Sequence, residues 1–360
     1  MKKILLLIIC LFLLTSCNDY VEINKLAIIT GIGIDYKDNM YELTVQVINT
    51  EEKKEPLLYN TKGKTIYEAL TELSKTADKK YFISHLKVLI ISQNLIESNT
   101  NYYDYFLRNV QSKMNFFVYV SKNITPKELL NKKLDEGPSS MYIDEMLKYN
   151  NNTFSSSTPL EFVNLVKEDI EYGINPVYPE ISYKDNYPYL SNLITYNYEN
   201  KSITLDEEEA IFYNLMTNNK KEYNKKTILD ISCEGGIYSL DISKINSKYN
   251  YINNIFKIDL KLESILNTYT CDFDITNQKN INKLNDITKK YILEKMNEVI
   301  KKSQENNNDF LGVGRYLYKH YYKKIDFNKE WDIQYPSIVI KPSIEIELIN
   351  TGDIRTMVKK

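Results

Sequence analysis

The chain has 360 residues, 43% apolar and 26% charged, with 10 Gly and 9 Pro, enough to bury one large core or two to three ordinary ones. That balance excludes collagen, coiled-coil arrays and wholesale disorder. Lys and Arg total 46 against 48 Asp and Glu, so duplex nucleic acid, which needs a concentrated positive surface, is a poor partner.

Lys2 and Lys3 precede an apolar run from Ile4 to Leu14, far shorter than the roughly 30 Å hydrocarbon core at about 1.5 Å per residue. Such a run reads as an export signal and not a span. Leu14-Thr15-Ser16-Cys17 follows, an aliphatic residue and two small ones before a Cys, which resembles the lipobox of bacterial lipoproteins. That resemblance implies a signal peptide over 1–16 and a mature chain starting at Cys17, thioether-linked to diacylglycerol. Two acyl chains, at about 0.8 kcal/mol per buried methylene, would hold the protein durably where one would not. Loss of Lys2 and Lys3 leaves 44 basic residues against 48 acidic ones, a net charge of −4. No other stretch reaches the length of a spanning helix, so the mature body is expected to be soluble and to face the outside of the membrane.

After the anchor, Leu26–Ile34 and Tyr41–Ile48 are β-rich runs separated by Asp38-Asn39, a hairpin signal. The polar stretch 51–62 reads as a loop. Ile66, Ala69, Leu70, Leu73 and Ala77 fall at helical spacing behind Thr65, a suitable N-cap. Phe82–Ser92 reads as a strand, a second helix carries Tyr102, Phe106 and Val110, and Met114–Val120 as a buried strand. Thr125-Pro126-Lys127-Glu128 has the capping-box pattern that opens a helix through Leu134, and Thr158-Pro159-Leu160-Glu161 repeats it. Gly173 is placed to end that later helix. Between them 150–157 is a polar loop. Asn175–Pro188 holds three Pro among clustered Tyr, and a boundary zone is expected from there to about Asp206.

The remainder opens with strands at Thr227–Cys233, Ile237–Ser243 and Phe256–Leu262. A long helix follows, with an apolar stripe from Ile281 to Ile300 interrupted at Asn306-Asn307-Asn308, and Asp332–Leu348 supplies one or two closing strands. The pattern predicts an α+β, multi-domain fold of mainly antiparallel sheets with packed helices. Domain limits are expected at 17–205, divisible near residue 122 into subdomains of about 20–122 and 123–205, and at 206–360.

Catalysis or metal binding needs convergent residues, and the chain offers only His85 and His320 and no paired Cys spacing, which argues against zinc. Strand alternation would place His85 opposite Leu86 and Val88, as a hydrogen-bonded structural histidine; His320, among Tyr318, Tyr321 and Tyr322, reads as part of an exposed aromatic surface. Gly31-Ile32-Gly33 and Gly312-Val313-Gly314 lack the remaining residues of a dinucleotide fingerprint or a P-loop and read as bulges or positive-φ turns. Carboxylate pairs such as Asp230 with Glu234 are unremarkable among 48 acidic residues, and Glu207–Glu209 fit a helix start. Cys233 and Cys271 lie 38 positions apart. Export would permit a disulfide, but one pair is no disulfide framework, and two buried thiols are the simpler reading. No enzyme, cofactor or metal is expected.

Glu22-Ile23-Asn24-Lys25-Leu26-Ala27-Ile28 and Gly31-Ile32-Gly33-Ile34-Asp35, shortly after a lipobox Cys, resemble the Ger(x)C family, the C-subunit lipoproteins of spore nutrient germinant receptors. More specific are Gly63-Lys64-Thr65-Ile66-Tyr67-Glu68-Ala69-Leu70 and Tyr81-Phe82-Ile83-Ser84-His85-Leu86-Lys87-Val88, with Arg108 matching the Arg that closes the next helix. Asp309-Phe310-Leu311-Gly312, Trp331 and Asn350-Thr351-Gly352 resemble the family's last segment. Two departures stand out: Asn18 where the family usually has Trp, and only part of a Gly-rich strand motif at Glu209-Ala210-Ile211-Phe212. The resemblance implies a subunit on the outer face of the spore inner membrane, assembled with integral membrane A- and B-type subunits and needed for the germination response, with Cys17 as the acylation site. The alternative is an extracytoplasmic solute-binding lipoprotein, which usually needs two parallel α/β lobes and a deep cleft.

Overall fold

The structure, a computed structural model, describes residues 22, 25–48, 55–76, 79–98, 100–132, 134, 137–153, 156, 158–217, 227–322 and 331–350. Cys17 lies outside them.

Among the described residues a nine-stranded mixed sheet and a four-stranded sheet, each carrying helices, make the expected α+β fold. Strands β1 (Leu26–Lys37) and β2 (Met40–Val47) form the predicted hairpin. Asp38 and Asn39 at its tip have φ of 53° and 60°, the paired left-handed conformation whose twist suits a two-residue hairpin. The stretch read as a loop before residue 63 contains β3 (Leu57–Gly63), antiparallel to β2. Its side chains are half exposed, as befits an edge strand, so no apolar run announced it.

Helix α1 (Ile66–Thr76) starts where expected, with the Glu68 N–H donating to Thr65 Oγ1 at 3.0 Å. The predicted strand 82–92 is two short pieces, β4 (Lys80–Phe82) and β5 (Val88–Ser92), both parallel to β1 and joined by a turn at Ser84–His85. Ser92 ends β5 and caps α2 (Gln93–Glu97) by accepting from the Leu95 N–H. The helix expected around Tyr102–Val110 is the single-turn α3 (Asp104–Arg108), and β6 (Phe117–Ser121) follows.

Helix α4 (Pro126–Asn131) has the full capping box, with Thr125 and Glu128 satisfying each other's backbone N–H groups. Leu134 lies beyond it in an isolated bridge with Gly137. Sequence reasoning missed α5 (Ser139–Thr153), whose polar composition hides its period. The second apparent capping box fails for a physical reason. Thr158 Oγ1 donates to Asn214 instead, while 160–162 runs beside β6 through Val118 N–H to Leu160 O and Phe162 N–H to Phe116 O. Helix α6 (Phe162–Ile170) therefore starts at Glu161, without a side-chain cap.

The zone from Asn175 to Asp206 is sheet and not linker: β7 (Val177–Lys184), β8 (Tyr187–Tyr196) and β9 (Ser202–Leu205) complete the order β3-β2-β1-β5-β6-β7-β8-β9. The three central pairings are parallel and the flanking ones antiparallel. Alternate residues of β5 serve opposite cores. Leu89 and Ile91 pack with Ala69, Phe106 and Phe162, whereas Val88 and Ile90 pack with Leu129, Leu130 and Ile143. A buried amide fixes the second layer: Gln46 donates to Leu130 O at 2.8 Å and accepts from the Ser140 N–H at 2.9 Å. The Gly31 and Gly33 positions let this layer close, since Cβ atoms there would lie 2.6 Å from Ser140 Cβ and 2.8 Å from Pro126 Cβ.

Further along the chain come α7 (Glu207–Thr217), β10 (Thr227–Cys233), β11 (Gly236–Ile252), β12 (Ile255–Tyr269), α8 (Gln278–Glu305), α9 (Val313–Tyr321), α10 (Trp331–Gln334) and β13 (Val339–Asn350). Strand β13 joins β12 in parallel, and the other pairs are antiparallel. The acidic start of α7 does more than face solvent: Glu209 pairs with Lys302 at 2.5 Å and Glu208 with Lys295 at 2.8 Å, docking α7 on α8. Val177, Leu193 and Leu205 of the large sheet share the core of the small one.

Cys233 and Cys271 form a disulfide, with Cα atoms 5.7 Å apart, correcting the expectation of two thiols. The β10–β11 hairpin brings Cys233 beside the end of β12, an adjacency that sequence spacing does not reveal. Closing a loop of this length should stabilise the fold by about 3–4 kcal/mol. Cys271→Ala is expected to lower the urea midpoint accordingly, and an unchanged midpoint after reduction of the wild type would contradict this.

Candidate functional site

Asp309, Gly312 and Trp331, which carried part of the resemblance near the C-terminal end, converge at the junction between the sheets. Asp309 is wholly buried. Its Oδ1 accepts from the Val313 N–H at 2.9 Å, and its Oδ2 from the Gly314 N–H at 2.7 Å and from Trp331 Nε1 at 3.0 Å. The backbone of the same residue joins the large sheet's side: Asn175 N–H donates to Asp309 O at 3.0 Å, and Asp309 N–H to Asn175 Oδ1 at 2.9 Å. Asn175 Nδ2 continues to Tyr196 O on β8 at 3.1 Å. One carboxylate and one amide thus tie β8, the loop before β7, α9 and α10 together.

Glycine permits the close approach. Gly173 and Gly312 have φ of 71° and 69°, and the Arg315 N–H donates to Gly173 O at 2.7 Å. A Cβ on Gly314 would lie 2.4 Å from the Trp331 ring and 2.7 Å from Gly173 Cα. The Gly312–Gly314 pair is therefore a left-handed helix entry and a packing contact, with no phosphate cradle. Gly173 is not the cap itself, since α6 ends at Ile170.

Beside the knot lies a cleft of about 800 Å³ whose walls include Tyr172, Tyr178, Tyr198, Trp331 and Asp332. Glu171, in its wall, pairs with Arg315 and Lys319 of α9 at 3.5 and 2.9 Å. Burial pushes the Asp309 carboxyl up to about 7, against the pull of the N–H donors of Gly314, Val313 and Trp331. Those donors occupy both oxygens, so the group is built to hold elements together and not to exchange protons with a substrate.

The other candidates do not gather. His85 is exposed in its turn, its ring tilted against Phe82 at 5.6 Å, and not inside a strand as alternation suggested. His320 is exposed beside Tyr316 at 4.5 Å, as expected of an aromatic surface. Asp230 accepts from Ser239 across the hairpin, whereas Glu234 pairs with Lys283. Arg108 is held by Asp104 one turn earlier, both distances 2.9 Å. Gly63 sits where a Cβ would be 2.5 Å from Ala69 N, so the Gly63, Thr65 and Ala69 pattern is the chemistry of a tight strand-to-helix turn. Among the described residues no group of three His, Cys, Asp or Glu could hold a metal, and no helix is long and apolar enough to cross a membrane.

Fold and junction define a two-sheet α+β module whose parts are joined by buried hydrogen bonds and close packing. Two family models match nearly end to end: the spore germination protein N-terminal domain over residues 19–183, and the spore germination B3/GerAC-like C-terminal domain over 196–352. The chain belongs to the Ger(x)C family of germinant receptor C subunits, a spore germination family and not a known enzyme family. It is similar to spore germination protein KC of Bacillus subtilis (strain 168), 22% identical with 96% of this chain and 95% of the relative covered. Spore germination protein GerQC of Bacillus cereus is 21% identical with 83% of each covered. The crystal structure of the GerBC protein superposes with a TM-score of 0.57 at 16% identity, over 89% of this chain and 97% of that one, and so shares the fold.

Because the folded state holds the Asp309 proton more tightly than the unfolded state, this group's contribution is full below about pH 4 and is lost as pH rises through about 7. The loss is about 4 kcal/mol at most. Asp309→Asn cannot ionise and should remove this component of the pH slope between about pH 5 and 8. It should also be less stable throughout, because its NH2 confronts N–H donors. Urea unfolding across that range checks both, and an identical slope in the variant would refute the assignment.

Proposed function

We propose that the chain is a lipid-anchored C subunit of a spore nutrient germinant receptor, acylated at Cys17 and seated on the outer face of the spore inner membrane. It contributes to germination by assembly with integral membrane A- and B-type subunits and not by catalysis. The observation that carries this reading is the pair of family models beginning two residues beyond Cys17 and running to residue 352. A leader over 1–16 and units at 17–205 and 206–360 belong to the same reading. The eight residues from Asn18 to Lys25 span about 28 Å at most, so contact with membrane partners becomes effectively intramolecular.

Spores lacking this gene should fail to respond to at least one nutrient while vegetative growth is unchanged; normal germination under every nutrient tried would overturn the proposal. Cys17→Ala should move the protein from the membrane to the soluble fraction on centrifugation. Unchanged fractionation would remove the anchor.

A further inference from the structure

Between α3 and β6 the surface carries an unusual concentration of exposed apolar side chains. Val110 is 100% exposed, with Leu107 and Met114 each 37% exposed nearby in the chain. Val is among the residues most often buried, and here it is held out by a loop with internal structure. Ser84 Oγ donates to Gln111 O at 2.6 Å, Asn109 Nδ2 to Tyr105 OH at 2.6 Å, and the Gln111 N–H to Asn109 Oδ1 at 2.9 Å. Tyr67, 69% exposed, packs its ring 6.4 Å from Tyr105. Arg108 and Lys113 flank Val110 in the chain, and both are exposed; Asp104, on α3, pairs with Arg108.

This loop borders a groove of about 760 Å³ whose walls include Ile29, Tyr67, Lys80, Tyr105 and Val110. Lys80 is the register partner of Leu26, the first residue of β1. The groove therefore opens next to the point where the segment bearing Cys17 enters the fold. A tether of about 28 Å cannot carry that point far from the bilayer. Apolar tips flanked by Lys and Arg match an interface of acyl chains beneath anionic headgroups.

We infer that the loop at 107–114 and the adjoining groove form the face that lies against an anionic lipid surface, with Val110 entering the headgroup region. The inference rests on acylation of Cys17, and its test separates the two. Cys233 and Cys271 are bonded and Cys17 would be acylated, so a cysteine introduced on the surface of the mature protein is labelled alone. The acylated full-length protein carrying Val110→Cys, labelled with an environment-sensitive fluorophore, is reconstituted on phosphatidylglycerol-containing vesicles; the same label at Ile237→Cys, 48% exposed in the small sheet, is the comparison. The Val110 label should shift to the blue and lose most of its emission to lipid-borne quenchers, while the Ile237 label should not. Flotation with the vesicles but equal quenching at the two sites would overturn this face alone. Failure of the protein to float would overturn the anchor and this face together.

Discussion

A carboxylate that never meets water holds the molecule's two sheets in one arrangement. Asp309 accepts three N–H bonds while its backbone exchanges two more with Asn175. Burying a carboxylate is costly unless donors replace its hydration, and here the donors come from α9 and α10 at once. The donors offset part of this cost, and only if α9, α10 and the loop before β7 all arrive together, which makes their docking cooperative. Neighbouring bonds extend the tie: Thr195 Oγ1 donates to Asn308 Oδ1 and Tyr249 OH to Leu311 O. Residues 306–312, which follow the C-terminal end of α8, are thereby part of the seam between the two sheets.

The same device of close approach recurs at each layer contact. Gly31 and Gly33 admit α5 and α4 onto the large sheet, Gly63 admits the start of α1, and Gly173 with Gly314 admits Trp331. A side chain at any of these points would have to displace backbone or a ring, so the layers would separate before the strands did. Packing of this kind transmits displacement well and deforms poorly.

Local chemistry was legible wherever it was also the final chemistry. The Asp38-Asn39 turn, the Thr125 box, Thr65 and the long stripe of α8 all read correctly, because short-range geometry decides them. Asp185-Asn186 and Asn253-Asn254 adopt the same paired left-handed φ values, and the same signal could have located β7–β8 among its prolines. What failed was tertiary. The residues near Thr158 carry a cap pattern, yet β6 offered that backbone a ladder and Asn214 took the hydroxyl. Nothing in the spacing of Cys233 and Cys271 or of Asn175 and Asp309 marks either pair, since topology alone makes them neighbours.

In the proposed receptor, rigidity at the seam and a short lipid tether would act on the same quantity. A flexible joint would let the two units sample many directions relative to the bilayer, and any partner contact would then bear the entropy of fixing them. A seam already ordered by buried bonds would lower that cost. The proposed lipid anchor and lipid-facing surface would restrict the orientation of the whole body further. Contacts with membrane subunits would then be set by which surface the seam holds uppermost, and a change at Asp309 could alter them without touching the contact surface itself.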